Sequence, residues 1–205
     1  MIEYSKNTSI LLGVILILRR IKNKSFLNQL TQELLYTLIA LIEFYYVSIK
    51  ESQIKLKTDE TDISLKISNL DINGNSKLLK NINAPSNNTL PNKEMNKELI
   101  LIKEVLALLG NMVAIQIDCK IFYQKNLHII ATDIVSTFIE YPKLVKTCLG
   151  VFINLINDKT IRDNISKVGA FNKLIYSTLD YYKNNYYIID YLLKMISNLI
   201  YNGMK

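Results

Sequence analysis

The amino-acid sequence repeats an apolar pattern at intervals of 43 and 44 residues, and this repeat restricts the chain to stacked helical architectures. Apolar residues spaced as one face of a helix recur three times, with a second apolar stripe and one asparagine in the same phase. The face comprises Ile102, Leu106, Leu109 and Val113, then Val145, Leu149, Phe152 and Ile156, then Ile189, Leu193, Ile196 and Ile200, with Asn111, Asn154 and Asn198 as the asparagine column.

Helices with two apolar stripes are buried over more than half of their circumference, so each needs neighbours on two sides. Two shorter helices are expected between the long ones, best defined at 160–168 and 170–182. Gly169 between them predicts a sharp turn with positive φ, which glycine adopts without steric cost. Asn126 holds the corresponding place 43 residues earlier, and asparagine is the next best residue for that conformation.

The first part of the chain fits the same pattern at an offset of 137 residues. Residues 10–20 match a third helix, because Leu12, Val14, Ile15 and Leu18 stand opposite Leu149, Val151, Phe152 and Leu155, although Ile17 stands opposite Asn154.

The composition changes between residues 51 and 97, where no aromatic residue occurs and Lys, Asp, Asn and Ser dominate. We expect a disordered, solvated insertion there, since its few aliphatic residues cannot offset the entropy of ordering the backbone. The predicted organisation is a terminal helix of an incomplete repeat at 1–20, repeat 1 with the insertion at 21–114, repeat 2 at 115–157, and repeat 3 at 158–205.

The best-matching stretch, 143–201, contains LGVFINLINDKTIRDNISKVGAFNKLI, with an Asn-Leu pair at 154–155 and a Gly-Ala-aromatic corner at 169–171. This pattern resembles the armadillo repeat family. The resemblance covers about 150 of the 205 residues and implies an all-α, right-handed superhelical solenoid of three-helix repeats. The two-helix HEAT repeats are the neighbouring alternative.

The resemblance also implies a function. Third helices of armadillo proteins line a concave groove, where asparagines bind the main chain of an extended peptide, a role that Asn111, Asn154 and Asn198 would take. The alternative is that these asparagines bond neighbouring helices within the stack. Members that bind basic nuclear-import signals have Trp one turn before the asparagines, whereas this chain has Ala107, Gly150 and Lys194 there and no Trp. Capture of an acidic partner is closer, with Lys103, Lys146 and Lys194 as candidates.

Other functional classes have little support in the sequence. One histidine, His128, and two cysteines, Cys119 and Cys148, provide too few ligands for a zinc site and no His-based catalytic relay, so we expect no enzyme, metal or cofactor. The cysteines lie in apolar runs, which indicates free thiols in the reducing cytoplasm, with the nucleus as an alternative. The longest apolar run, residues 10–18, is too short to span a bilayer, and its basic flank makes a surface anchor a minor alternative.

The expected function is therefore a non-catalytic scaffold that binds a protein or peptide segment in its groove. One alternative is a structural subunit of a larger assembly that docks through its ends and convex face. Another is an RNA-binding helical repeat, which is disfavoured because the net charge of +7 is spread without a dense basic block. Both ends of the stack look uncapped, which predicts a piece of a longer product, docking on a partner, or self-association.

Overall fold

A computed structural model describes residues 2–20, 32–68, 95–114 and 119–201, and all regular structure in these ranges is helical. The predicted all-α class is confirmed for this part of the chain. None of these helices is both long and apolar enough to cross a lipid bilayer. In chain order they are α1 (Ile2–Arg20), α2 (Gln32–Ser68), α3 (Lys97–Ala114), α4 (Cys119–Gln124), α5 (Leu127–Thr137), α6 (Pro142–Leu155), α7 (Lys159–Ile165), α8 (Gly169–Tyr181) and α9 (Tyr186–Tyr201).

Helices α1, α3, α6 and α9 lie side by side in that order, each packed against the next, and we call this set the helix row. The contact between α3 and α6 is the most extensive of the three. A second layer contains α2, α5 and α8, of which α5 contacts both of the others. Packing of α2 on α3, α5 on α6 and α8 on α9 joins the two layers. Consequently α3 and α6 each have a neighbouring helix on both sides within the row and a helix of the second layer packed on them.

This arrangement explains the burial of the repeated apolar columns. Leu106 on α3 and Leu149 on α6 occupy one column and are both fully buried. On α9 the same column continues at Leu193, which is 56% exposed. The last residue of the repeated face on α9, Ile200, is 54% exposed. The difference follows from the packing, because α9 contacts α6 but has no further neighbour in the row among the described helices.

Short polar side chains begin several of the helices. Asparagine and aspartate oxygens accept the free N–H groups of a first helical turn, which otherwise lack partners inside the helix. The capping bonds run from Leu99 N to Asn96 Oδ1 at 2.8 Å, from Ile161 N to Asp158 Oδ1 at 3.0 Å, and from Ile188 N to Asn185 Oδ1 at 3.3 Å.

The two predicted turn residues behave differently. Asn126 has φ of 57° and ψ of 25°, the left-handed conformation expected of it, immediately before α5. The prediction for Gly169 is wrong, because this glycine is the first residue of α8 and has no positive φ. The direction change is made by Val168, whose extended backbone (φ −84°, ψ 113°) precedes the helix. The same redirection is thus achieved without a left-handed residue.

The first part of the predicted disordered insertion is helical. Helix α2 continues without a break to Ser68, so residues 51–68, expected to be disordered, are helical. A physical reason is that 32–68 contains neither glycine nor proline and is rich in Leu, Lys and Glu, which favour helix. The rest of the predicted insertion to residue 94, and residues 21–31 at the start of predicted repeat 1, lie outside the described residues.

Candidate functional site

An open groove with a volume of about 400 Å³ crosses the helix row. Its centre is formed by α3 and α6, with one residue each from α1 and α9 at its ends. Most of its lining is polar or small, which leaves backbone and amide groups accessible beside the charged side chains. The lining residues are Arg19, Lys103, Leu106, Ala107, Gly110, Asn111, Lys143, Lys146, Thr147, Gly150, Val151, Asn154 and Tyr191.

Four of the lining side chains are cationic, and no lining residue carries a carboxylate. Lys143 and Lys146 are exposed on α6. The side chain of Arg19 is 42% exposed and that of Lys103 is 21% exposed. The ammonium of Lys146 lies 4.8 Å from the centre of the Tyr191 ring, a cation–π distance that positions this lysine over the groove. The surface presented by the groove is therefore positive.

Glu104 is the acidic group beside the two less exposed cations. It is buried on α3, and its carboxylate forms ion pairs with Arg19 and, at 2.6 Å, with Lys103. Burial opposes the charged form, but hydrogen bonds from Lys103 and Arg19 and their positive charges outweigh it, so the pKa of Glu104 is lowered. This pairing joins α1 to α3 and anchors the Arg19 end of the groove.

The three asparagines of the predicted column differ in their location and in their hydrogen-bond partners. Asn154 Nδ2 donates to the Gly110 carbonyl oxygen at 2.9 Å, which is the bond within the stack that the sequence left as an alternative. Asn111 is exposed and lines the groove. Asn198 is half-buried on α9 and does not line it. The groove thus brings together two of the three asparagines, and only Asn111 of these is exposed.

The predicted lysines are divided in the same way. Lys103 and Lys146 line the groove, as described above. Lys194 lies outside it and forms an exposed ion pair with Asp190 at 2.6 Å, with its ammonium 5.5 Å from the Tyr191 ring centre. The hydrogen bond to Asp190 raises the pKa of Lys194.

Sequence reasoning missed Arg19, Lys143 and Tyr191 as groove residues. Arg19 was interpreted only as the basic flank of an apolar run, because its partner Glu104 is 85 residues away. Lys143 could have been found from the repeat, since it lies three residues before Lys146 and therefore on the same helix face. Tyr191 sits one helix along, in the column that contains Glu104 and Thr147.

The titratable groups elsewhere in the described ranges have packing roles. His128 is buried with its ring stacked on Tyr123 at 4.5 Å between centres, and burial lowers its pKa. Cys148 is fully buried, which raises the pKa of its thiol, and Cys119 is half-buried. No group of three His, Cys, Asp or Glu side chains that could hold a metal ion occurs among the described residues.

The chain was compared with models of known protein families, with curated proteins and with solved structures. None of the three comparisons gives a match. The armadillo resemblance accordingly rests on the residues quoted from the sequence.

Proposed function

We propose that the chain is a non-catalytic binding protein whose groove holds an extended, acidic segment of another protein, on a right-handed superhelical solenoid of the armadillo type. The observation that carries the proposal is the positive lining of the groove, because the four lining cations Arg19, Lys103, Lys143 and Lys146 outnumber the one carboxylate that pairs with them among the described residues. That carboxylate, Glu104, is buried and pairs with Arg19 and Lys103. A complementary ligand is one that brings negative charge, since like charges on a partner would be repelled.

The dimensions of the helix row suit a short peptide. Neighbouring packed helices are separated by about 8–10 Å, so the three steps from α1 to α9 cover roughly 24–30 Å. An extended chain advances about 3.3 Å per residue, and about eight or nine residues would therefore cross the row. Such a segment would meet Arg19 near one end and Tyr191 near the other.

The polar groups of the groove support main-chain recognition by Asn111 more than by Asn154. A carboxamide offers a donor and an acceptor to a peptide group. Asn111 is exposed at the groove, whereas the Asn154 amide nitrogen already donates to Gly110. We therefore assign contact with the ligand main chain to Asn111 and support of the α3–α6 contact to Asn154.

The test is fluorescence polarisation with a labelled glutamate-rich peptide of about nine residues, compared with a lysine-rich peptide of the same length. The proposal expects the acidic peptide to bind and the basic one not to bind. Two exposed lysines at the groove, changed together as Lys143→Glu and Lys146→Glu, should weaken binding about tenfold, since each exposed charge pair is worth up to roughly 1 kcal/mol and reversal replaces attraction with repulsion.

The matched control carries Lys167→Glu and Lys173→Glu, which make the same change in net charge at exposed positions outside the groove. This control should bind the acidic peptide nearly as well as the unaltered chain. Equal losses in both double variants would show a non-specific charge effect and overturn the groove assignment. Binding of single-stranded RNA at low salt, without binding of the acidic peptide, would replace the proposal with the RNA alternative.

A further inference from the structure

The outer face of α9 exposes apolar residues that the same repeat columns bury elsewhere. Leu193 is 56% exposed, although its counterparts Leu106 and Leu149 are fully buried. Ile200 is 54% exposed, although its counterparts Val113 and Ile156 are 3% and 0% exposed. In α3 these positions lie four residues before and three after Gly110, which approaches Val151 of the next helix in the row, so they share the helix face that meets this neighbour. The outer face of α9 is therefore a helix-packing surface that no other described helix covers.

The outer face of α1 is the opposite half of the same kind of contact. Val14 stands at the repeat position of Val151, which is 1% exposed and packs against Gly110 of the preceding row helix. Val14 itself is 48% exposed. It is flanked on the same face, four residues before and three after, by Ile10 and Ile17, which are 66% and 65% exposed.

Two of these three residues of α1 are more apolar than their repeat counterparts. Ile10 replaces Thr147 and Ile17 replaces Asn154, both of which lie on the α3-facing side of α6 and line the groove. A helix surface that faces water gains nothing from these replacements, whereas one that packs on another helix buries additional apolar area. A contiguous apolar stripe of this kind marks an interaction surface.

The two faces also match in shape. The α3–α6 contact is close because Gly110 has no side chain, and a Cβ there would lie 3.3 Å from Val151 Cγ2. On α9 the place of the buried Gly110 is taken by Ser197, a small residue that is exposed, between Leu193 and Ile200. A valine at the position of Val14 can therefore approach α9 much as Val151 approaches α3.

From this continuity we infer that the chain associates head to tail with a second copy of itself. The outer face of α9 in one copy packs on the outer face of α1 in the next and repeats the α3–α6 contact between molecules. Because the two faces differ, each copy keeps one face open after pairing, so association continues into longer assemblies or closes into a ring. The inference goes beyond the proposed groove function and does not depend on it, since Leu193 and Val14 do not line the groove.

The test uses the full chain in sedimentation velocity over a range of concentrations. We expect the average mass to rise with concentration beyond that of a dimer. Val14→Glu and Leu193→Glu each place a charge on one face, and each variant alone should stay monomeric. Both positions are exposed, so both variants should retain the helical circular dichroism of the unaltered chain.

The decisive measurement is a mixture of the two variants. The Val14→Glu chain retains an intact α9 face and the Leu193→Glu chain an intact α1 face, so an equimolar mixture should form dimers and nothing larger. Dimers of Val14→Glu alone would instead show that α9 pairs with α9, which overturns the head-to-tail contact. An unaltered chain that stays monomeric up to about 1 mM, or folded variants that associate like the unaltered chain, would overturn the inference altogether.

Discussion

The side-chain amide of Asn154 donates to the main-chain oxygen of Gly110 across 2.9 Å and ties α6 to α3 at their closest approach. Beside this bond, Val151 Cγ2 lies 3.3 Å from where a Cβ on Gly110 would be. Val151 is buried and β-branched, so it has few rotamers through which to withdraw. A side chain at position 110 would therefore force Val151 to shift by a few tenths of an ångström.

Replacing Gly110 and Gly169 with alanine should have opposite effects. Alanine favours helix over glycine by up to about 1 kcal/mol, and at Gly169 a new Cβ meets no atom within 4 Å, so Gly169→Ala should stabilise the chain slightly. At Gly110 the crowding costs about 1–3 kcal/mol and outweighs that gain. Urea unfolding gives the free energy of unfolding of both variants. A Gly110→Ala chain as stable as the Gly169→Ala chain would contradict the close approach of Gly110 to Val151.

Stability should fall in acid through Glu104. Its pKa in the folded chain is below the unfolded value of about 4.5, so its contribution is complete above that pH and is lost as the pH falls through the folded pKa. At neutral pH, Glu104→Gln should cost about 1–3 kcal/mol, less than for a fully buried pair because Arg19 is partly exposed.

The check is urea unfolding at pH 7 and near pH 3. The gap in stability between Glu104→Gln and the unaltered chain should narrow at the lower pH, because the Glu104 carboxyl of the unfolded chain is then largely protonated and unfolding takes up a proton. Glu51→Gln, at an exposed position of α2, serves as the control and should change stability little at either pH. A constant gap would show that the loss comes from packing and not from the charge.

His128 should titrate below the usual range. Burial disfavours its charged form and lowers its pKa, and among the described groups its Nδ1 has no hydrogen-bond partner. Because it is the only histidine, its ring proton resonances in NMR spectra need no assignment. The midpoint should lie below 6.5, and stability should decline as the pH falls through 6.5, since the unfolded state then binds more protons. A midpoint at or above 6.5 would contradict this.

The long helices were predictable because their signal is local and periodic. The recurrence of Leu106, Leu149 and Leu193 needed no knowledge of the fold, and it indicated helices that are covered on two sides. Asn126 was predictable for a similar reason, since few residues tolerate a left-handed backbone. Gly169 misled because glycine permits positive φ without requiring it.

The groove was predictable only in part. Lys103 and Lys146 follow from the repeat, but the ion pair of Arg19 with Glu104 joins helices separated by 85 residues, and no local pattern contains it. The role of Asn154 was open because one carboxamide serves equally well for a ligand or for a neighbouring helix. Lys194 was predicted to belong with the groove lysines. The structure instead pairs it with Asp190, which lies four residues earlier on the same face of α9.

The position of a helix in the helix row also determines its local stability. Among the described helices, α3 and α6 have a row neighbour on each side, whereas α1 and α9 have one. In stacked repeats, nearest-neighbour terms add to the stability of each unit, so the margins open more often than the middle. The hydrogen atoms of backbone amides in α3 and α6 should consequently exchange with deuterium more slowly than those in α1 and α9. Unfolding should begin at α1 and α9 and reach α3 and α6 last.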